Sequence, residues 1–335
     1  MRIALDAMGS DAGATPLVEG AIHAVKRYPC EVLLVGRQHT LNRLLRHFRY
    51  KGDRIQVVPC REVVGMGDLP RESLLKKDSS ISVGVRLVAE GKADALVSAG
   101  NTGSTLTHAM RGWRRLKGVK RPGIATLMPT TAKPCLIIDV GANVDCKPRH
   151  LVDFALMGSV YSRQILGCEN PGVGLLSVGG ERSKGNELTL ATYELLEKCH
   201  LRFLGNVEPG DVFDGKVDVL VCDGFVGNVF LKTSESLAKM IMRAVKGAMT
   251  KNVLSMAAAL IVSPGMRQFK KKVDHSEYGG AALIGLEHVC IIGHGGSTAK
   301  AVMNAIRVAK ESVERELNRI ISQELERVAA ELEGA

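Results

Sequence analysis

The side chains best suited to chemistry in this sequence gather in short turns rich in Gly, Asn, Ser and Asp. These are Gly9-Ser10-Asp11, Ser98–Ser104, Asp139–Asn143, Asp223–Asn228 and Gly293–Thr298, with the polar turn Glu181–Asn186 beside them. Glycine lets an anion come close to the backbone. A helix that starts at such a turn offers free N–H groups and a partial positive charge. One turn of this kind is commonly structural; several on one edge of a sheet predict an anionic ligand.

Each candidate has a chemical reading and a plain one. Lys184 can orient an anion or offset developing charge, although a loop lysine taken alone is commonly just solvated. Asn228 can donate to a carbonyl oxygen or serve as a helix N-cap. Asn101, Thr102 and Gly103 can cradle an anion through helix N–H groups, or form an ordinary turn and cap. His294 and Ser297 can line the same cleft or be structural. Asp6, Asp139 and Asp223 each end or follow a strand and are expected to fix loops by accepting backbone hydrogen bonds. Their spacing is not that of a familiar metal site, so neither a metal nor a cofactor is expected.

Other chemistries lack their signatures. There is no GxxxxGK[ST] phosphate loop, GxSxG elbow, HExxH or EF-hand pattern. Gly172-Val173-Gly174 lacks the rest of GxGxxG and precedes a strand, and Ser297 has Gly295 before it but Ala299 after it. The eight cysteines include no CxxC pair, so no zinc site or redox dithiol is signalled; they read as small buried hydrophobes.

These turns must be positioned by a scaffold, and its pattern is regular. Ile3–Asp6 leads through a Gly-rich turn into the helical pattern Thr15–Lys26, with Pro16 suited to the first turn. Glu31–Val35, Ile55–Pro59, Ala95–Ser98, Leu136–Asp139, Val173–Ser177, Arg202–Leu204, Val217–Cys222 and His288–Ile292 read as further strands. Apolar runs alternating with helices predict a mostly parallel sheet covered on both faces, a three-layer α/β/α architecture in a single domain spanning 1–335. In such sheets ligands bind beyond the carboxyl ends of the strands, where the polar turns fall.

The chain has 335 residues, 45% hydrophobic and 24% charged, with a formal charge of +10. Aromatics are only 4%, which does not suit a nucleic-acid binder that stacks bases. The first strand starts almost at residue 1 and no apolar run approaches the ~20 residues of a spanning helix, so a cytoplasmic protein without a signal peptide is expected. Nine basic residues and one acid lie between Lys232 and Lys272, leaving 36 basic against 34 acidic elsewhere. Within that stretch Thr233–Thr250 reads as an amphipathic helix, apolar at Leu237, Met240, Ile241, Ala244, Val245 and Ala248. The almost wholly apolar Val253–Val262 follows. Residues 233–272 are therefore expected to form a projecting helical hairpin whose Leu254, Met256, Leu260, Lys270 and Lys271 touch an anionic membrane surface, each cation adding about 1 kcal/mol. Packing in a dimer, or docking of a negatively charged partner, are the alternatives. Residues 298–332 read as one long C-terminal helix.

Eight blocks, in order, resemble one family: DAMGSD (6–11), ESLLKKDSS (72–80), ADALVSAGNTGS (93–104), DVGAN (139–143), ERSKGNE (181–187), DGFVGN (223–228), EYGGAALIG (277–285) and GHGGS (293–297). The sequence is similar to the bacterial phosphate acyltransferases of the PlsX family, with Ser10 standing where that family more often has a second Gly. The resemblance implies an isopropylmalate-dehydrogenase- and phosphotransacetylase-like fold. It also implies transfer of a fatty acyl group from acyl carrier protein to inorganic phosphate. The acyl phosphate then passes to a membrane glycerol-phosphate acyltransferase that starts phosphatidic acid synthesis. A homodimer peripheral to the inner leaflet is implied too.

Carried onto this sequence, the resemblance points to Lys184 and Asn228 as catalytic. It points to Gly9, Asp11, Ser98, Asn101, Thr102, Gly103, Asn143, Gly185, Asn186, Asp223, Gly227, His294 and Ser297 around phosphate and substrate. No cysteine sits in a nucleophile setting within the blocks, which favours direct attack by phosphate over an acyl-enzyme. The rivals are a nicotinamide-dependent dehydrogenase of related fold, which should show paired metal-binding aspartates, and a non-catalytic membrane-docking scaffold.

Overall fold

A computed structural model describes residues 1–252, 255–256, 259, 262–263, 265–266 and 278–333. Eleven strands among them form one sheet: β1 (Arg2–Asp6), β2 (Glu31–Gly36), β3 (Ile55–Pro59), β4 (Ala95–Ser98), β5 (Gly123–Met128), β6 (Cys135–Ile138), β7 (Val173–Leu176), β8 (Phe203–Val207), β9 (Val219–Val221), β10 (Ala281–Ile284) and β11 (Val289–Ile292). The helices are α1 (Thr15–Arg27), α2 (Gln38–His47), α3 (Pro70–Ser73), α4 (Ser80–Ala89), α5 (Thr102–Gly112), α6 (Pro148–Leu166), α7 (Glu187–Leu196), α8 (Pro209–Phe213), α9 (Gly224–Met249), α10 (Ala299–Glu314) and α11 (Leu317–Glu333).

The sheet order is β3-β2-β1-β4-β11-β10-β5-β6-β9-β7-β8. Its central strands are short runs of Val, Ile and Leu buried on both faces, as a covered parallel sheet requires. One face packs on α1, α6, α10 and α11 through residues such as Leu17, Phe154, Ile306 and Ile321. The other packs on α4, α5 and α9 through Ile81, Ala109 and Leu231. The three-layer expectation therefore holds.

The sheet is not parallel throughout. β1 to β4 and β11 run one way and β6 to β9 run the other. The two sets are joined by β10, antiparallel to β11 and β5, and by β5, antiparallel to β6. The polar turns consequently leave from two opposed edges, not from one as the sequence pattern suggests. Register brings them together. Ile138 pairs with Ala125, Ala125 with Ala282, Ala282 with Ile291 and Ile291 with Val97. Both parallel sets therefore end on the same row of the sheet, with β4 and β6 four strand spacings, or roughly 19 Å, apart along an untwisted sheet.

Two helical expectations change. The long helix over 298–332 is broken into α10 and α11, with Glu316 in the left-handed region at φ 49°. The break turns α11 onto α6 and keeps Leu317, Ile321, Leu325 and Val328 buried. The helix expected over Thr233–Thr250 is the outer part of α9, which runs unbroken from Gly224. Leu237, Met240, Ile241, Ala244 and Ala248 of its expected apolar stripe are exposed, and only Val245 turns inward, beside Ala238, Met242 and Met249. Both sides of α9 are apolar, so periodicity alone could not choose between them. Of the expected membrane contacts, Met256 is exposed, while Leu254, Leu260, Lys270 and Lys271 lie outside the described residues.

Candidate functional site

A cavity of about 1380 Å³ opens over β5, β10 and β11 and is bounded by α5, α9 and the start of α10. Three helix N-termini reach it. Thr102 and Gly103 open α5, Gly224 and Phe225 open α9, and Thr298 caps α10, its hydroxyl oxygen accepting from Ala301 N–H. Each presents the positive end of a helix dipole, so the polar part of the cavity favours an anion; at α9 the N–H groups of Gly224, Phe225, Val226 and Gly227 are already taken by Asn143 and Asp223. The rest of its wall combines apolar residues, among them Leu106, Ile124, Leu127, Leu231, Met242 and Met249, with the charged α9 residues Lys232, Glu235, Lys239, Arg243 and Lys246.

The expected site residues divide by what their side chains are already doing. Asn101 is fully engaged: its Oδ1 accepts from Ser104 N–H as the cap of α5, and its Nδ2 donates to the carbonyls of Met66 and Asp68. Ser98 is buried and donates to Asp6 Oδ2 at 2.8 Å while accepting from Gly100 N–H. Gly9 is buried against Gly100, and Asp11 sits beside Gly295, whose carbonyl accepts from Ser10 Oγ at 2.6 Å. None of these four lines the cavity; they hold the loops that do. Thr102, Gly103, His294 and Ser297 do line it. Ser297 Oγ donates to His294 O at 2.6 Å, so its hydroxyl proton is spent on shaping the turn.

At the other end Asp139 is fully buried and binds its turn tightly. Its carboxylate accepts from the N–H groups of Ile124, Gly141, Ala142 and Asn143 and from Asn143 Nδ2. Burial raises its pKa, and these donors oppose that shift. Asn143 Nδ2 also donates to Pro122 O, so this side chain braces two loops. Asp223 caps α9 by accepting from Phe225 and Val226 N–H. That occupies the cap position, so Asn228, five residues later in the second turn, is not a cap. Its half-buried side chain lines the cavity across from Gly141 and makes no hydrogen bond among the described residues. Gly227 has a packing reason: a Cβ there would lie 2.0 Å from Asp139 O.

Lys184, Gly185 and Asn186 do not line the cavity. Their turn follows β7, which neighbours β9 on the same edge, one strand beyond Asp223. Lys184 is exposed, with no side-chain partner among the described residues. Gly185 has φ 126°, and Asn186 caps α7 by accepting from Thr189 N–H.

Sequence reasoning misses the floor of the cavity. Ile124, Thr126 and Leu127 of β5, and Gly280 and Ala281 at β10, line it. The signal for β5 was present in GIATLM between Pro122 and Pro129, a short apolar run bounded by breakers. No cysteine is among the described lining residues, and burial pushes the thiols of Cys60, Cys135, Cys146 and Cys290 up to about 12. No group of three or more potential metal ligands occurs among the described residues.

Comparison with known proteins agrees with this geometry. A family model described as "Fatty acid synthesis protein" matches residues 1–320. The chain is 47% identical over 332 residues to the phosphate acyltransferase of Desulfitobacterium hafniense (strain Y51), covering 98% of this chain and 99% of that one. It is 48% identical over 327 residues to the phosphate acyltransferase of Geotalea uraniireducens (strain Rf4), covering 97% and 94%. Among solved structures, a phosphotransacetylase from Streptococcus pyogenes superposes with a TM-score of 0.64 at 17% identity over 94% of both chains. The EutD phosphotransacetylase from Staphylococcus aureus gives 0.63 at 17% identity, over 93% of this chain and 94% of that one. At these identities the structural likeness is one of fold.

Proposed function

The chain belongs to the fatty acid synthesis protein family and is an acyltransferase that forms acyl phosphate; from that premise we infer how its cavity does so and what it works with. The reading rests on one observation: a single cavity joins anion-ready helix N-termini to a long apolar wall. Phosphate sits at the N-termini and the fatty acyl chain lies along Leu106, Ile124, Leu127 and Met242. The donor is an acyl carrier protein thioester.

A phosphate oxygen attacks the thioester carbonyl carbon, the carbonyl oxygen becomes an oxyanion, and the intermediate collapses by breaking the C–S bond. The thiolate leaves and takes up a proton, and acyl phosphate remains. Phosphate is largely ionised near neutral pH, so the site's task is placement and charge stabilisation more than proton abstraction. Asn228, with its amide free and pointed into the cavity, donates to the oxyanion. Lys184, on the loop one strand away, adds positive charge near the phosphate. The high thiol pKa values and the absence of cysteine from the described lining support direct attack without an acyl-enzyme.

The exposed side of α9, with Leu237, Met240 and Ile241, supports a homodimer, since an apolar stripe on a surface helix calls for cover. No helix among the described residues is long and apolar enough to cross a membrane. Peripheral contact with the inner face of the membrane through the basic 232–272 stretch fits delivery of acyl phosphate to a membrane glycerol-phosphate acyltransferase. Incubation with acyl carrier thioester and phosphate, trapping the product as hydroxamate, tests the whole reading. A phosphate-dependent hydroxamate is expected; its absence with active controls overturns the assignment of donor.

A further inference from the structure

Basic charge is concentrated in a second place besides the 232–272 stretch. Arg111, Arg114, Arg115, Lys117, Lys120 and Arg121 fall within eleven residues that contain no acid, and all six are exposed. Setting both stretches aside leaves 30 basic against 34 acidic residues, so the rest of the chain is net acidic. Lys117 pairs with Glu326, and Arg115 donates to the carbonyl of Lys120. Arg111, Arg114 and Arg121 form no ion pair among the described residues, while Lys120 N–H donates to the buried Asp153. Glu287, whose N–H donates to Arg114 O, borders the patch.

Two hydrogen bonds tie this patch to the mouth of the cavity. Asn143 Nδ2 donates to Pro122 O at 2.7 Å, and Gly224 N–H donates to Asn143 O at 2.8 Å. The loop ending in Arg121 is thus held against the β6–α6 turn and the first turn of α9. Arg121 and Lys147 both face His150, whose pKa is lowered first by burial and then by these two cations. Between the cations and Asn228 the rim is apolar and open, with Val144 and Phe225 each 60% exposed and Val229 49% exposed. Within the patch lies a recess of about 430 Å³ bounded by Met110, Trp113, Arg114 and Arg115.

We propose that this face docks a small acidic carrier protein, whose thioester arm enters past Phe225 to reach Asn228. The proposal rests on the acyl-transfer reading above and adds to it the place where the donor sits. Charge complementarity selects an acidic partner. The recess between arginines suits a protruding side chain of a folded protein better than a flat sheet of lipid headgroups. The basic residues Lys232, Lys239, Arg243 and Lys246 of α9 instead line the cavity itself.

The test compares Arg114→Glu/Arg121→Glu with the α9 reversal Lys239→Glu/Arg243→Glu. Binding of a fluorescently labelled holo acyl carrier protein is followed by anisotropy. Acyl phosphate formation is followed with the carrier thioester and with a neutral acyl N-acetylcysteamine thioester. The Arg114/Arg121 variant is expected to weaken carrier binding, and to raise KM for the carrier thioester, by at least about ten-fold, while turnover of the neutral thioester stays within about two-fold. Unchanged carrier binding in a folded variant overturns the proposal, as does weakening by the α9 reversal alone. So does a variant that keeps the carrier but loses binding to phosphatidylglycerol vesicles. If the wild type forms no acyl phosphate from either thioester, the acyl-transfer reading falls, while the anisotropy still decides the docking surface.

Discussion

Asn228 stands out at its end of the cavity because the polar side chains of the adjoining turns are spent on structure, although Lys232, one helical turn further on, lines the same cavity. Asp139, Asn143 and Asp223 bind backbone N–H or carbonyl groups, and Asn101 is used twice over. An amide left free in the cavity is the available donor to an oxyanion. Asn228→Ala is therefore expected to lower kcat by about 10²–10³-fold with little change in melting temperature, measured by hydroxamate trapping and calorimetry. Lys184→Ala should instead act mainly on KM for phosphate; an unchanged KM would remove Lys184 from the mechanism. Asp153 offers a prediction of a different kind. Its carboxyl is fully buried beside Arg149 and accepts from Lys120 N–H, and burial raises its pKa from 3.8 to about 6. The folded state thus binds its proton more tightly than the unfolded state does. The stability this adds is complete below about pH 3.8 and is lost as pH rises through about 6. Denaturant titrations of Asp153→Asn should show the variant gaining on the wild type across that window, by about 3 kcal/mol at most.

At the scale of elements, α9 does two jobs at once. Its first turn is pressed onto the end of β6, where Gly227 leaves no room for a side chain, and its outer turns roof the cavity. Gly227→Ala is expected to destabilise the fold by about 1–3 kcal/mol or more and to depress activity with it, because the Cβ must push α9 off Asp139. Equal stability by urea titration would contradict the packing role. The same helix shows what the sequence could and could not reveal. Its 3.6-residue period and basic character were legible, as were Asp223, Thr298 and the other turn residues. Which face turned inward was not, since Leu237 and Met242 are equally apolar. Strands β1 to β4 and β11 were legible as buried runs. β5 and β10 were not singled out, and with them went the reversal of direction that splits the polar turns between two edges. Lys184 in its polar turn and Asn228 at a helix start were both read as site residues; only the strand order separates a cavity residue from one on the next loop.

The whole molecule distributes its charge in two basic regions over a net acidic body, and each is expected to meet a different partner. Leu254→Glu/Leu260→Glu should abolish flotation with phosphatidylglycerol vesicles while leaving turnover of a soluble thioester intact. Undiminished flotation of the folded variant would remove the 232–272 stretch from the membrane. Assembly of the sheet carries a consequence of its own. Among the described residues β4 pairs with β1 and β11, and β5 with β10 and β6, so none of those before Gly280 links the two parallel sets by strand pairing. A chain still emerging from the ribosome holds two half-sheets, each with an unpaired edge at its centre. Such edges invite misplaced pairing until the hairpin of Ala281–Ile292 arrives to fill the gap. Because that hairpin also forms the cavity floor, completing the sheet and building the catalytic pocket are the same late event in synthesis.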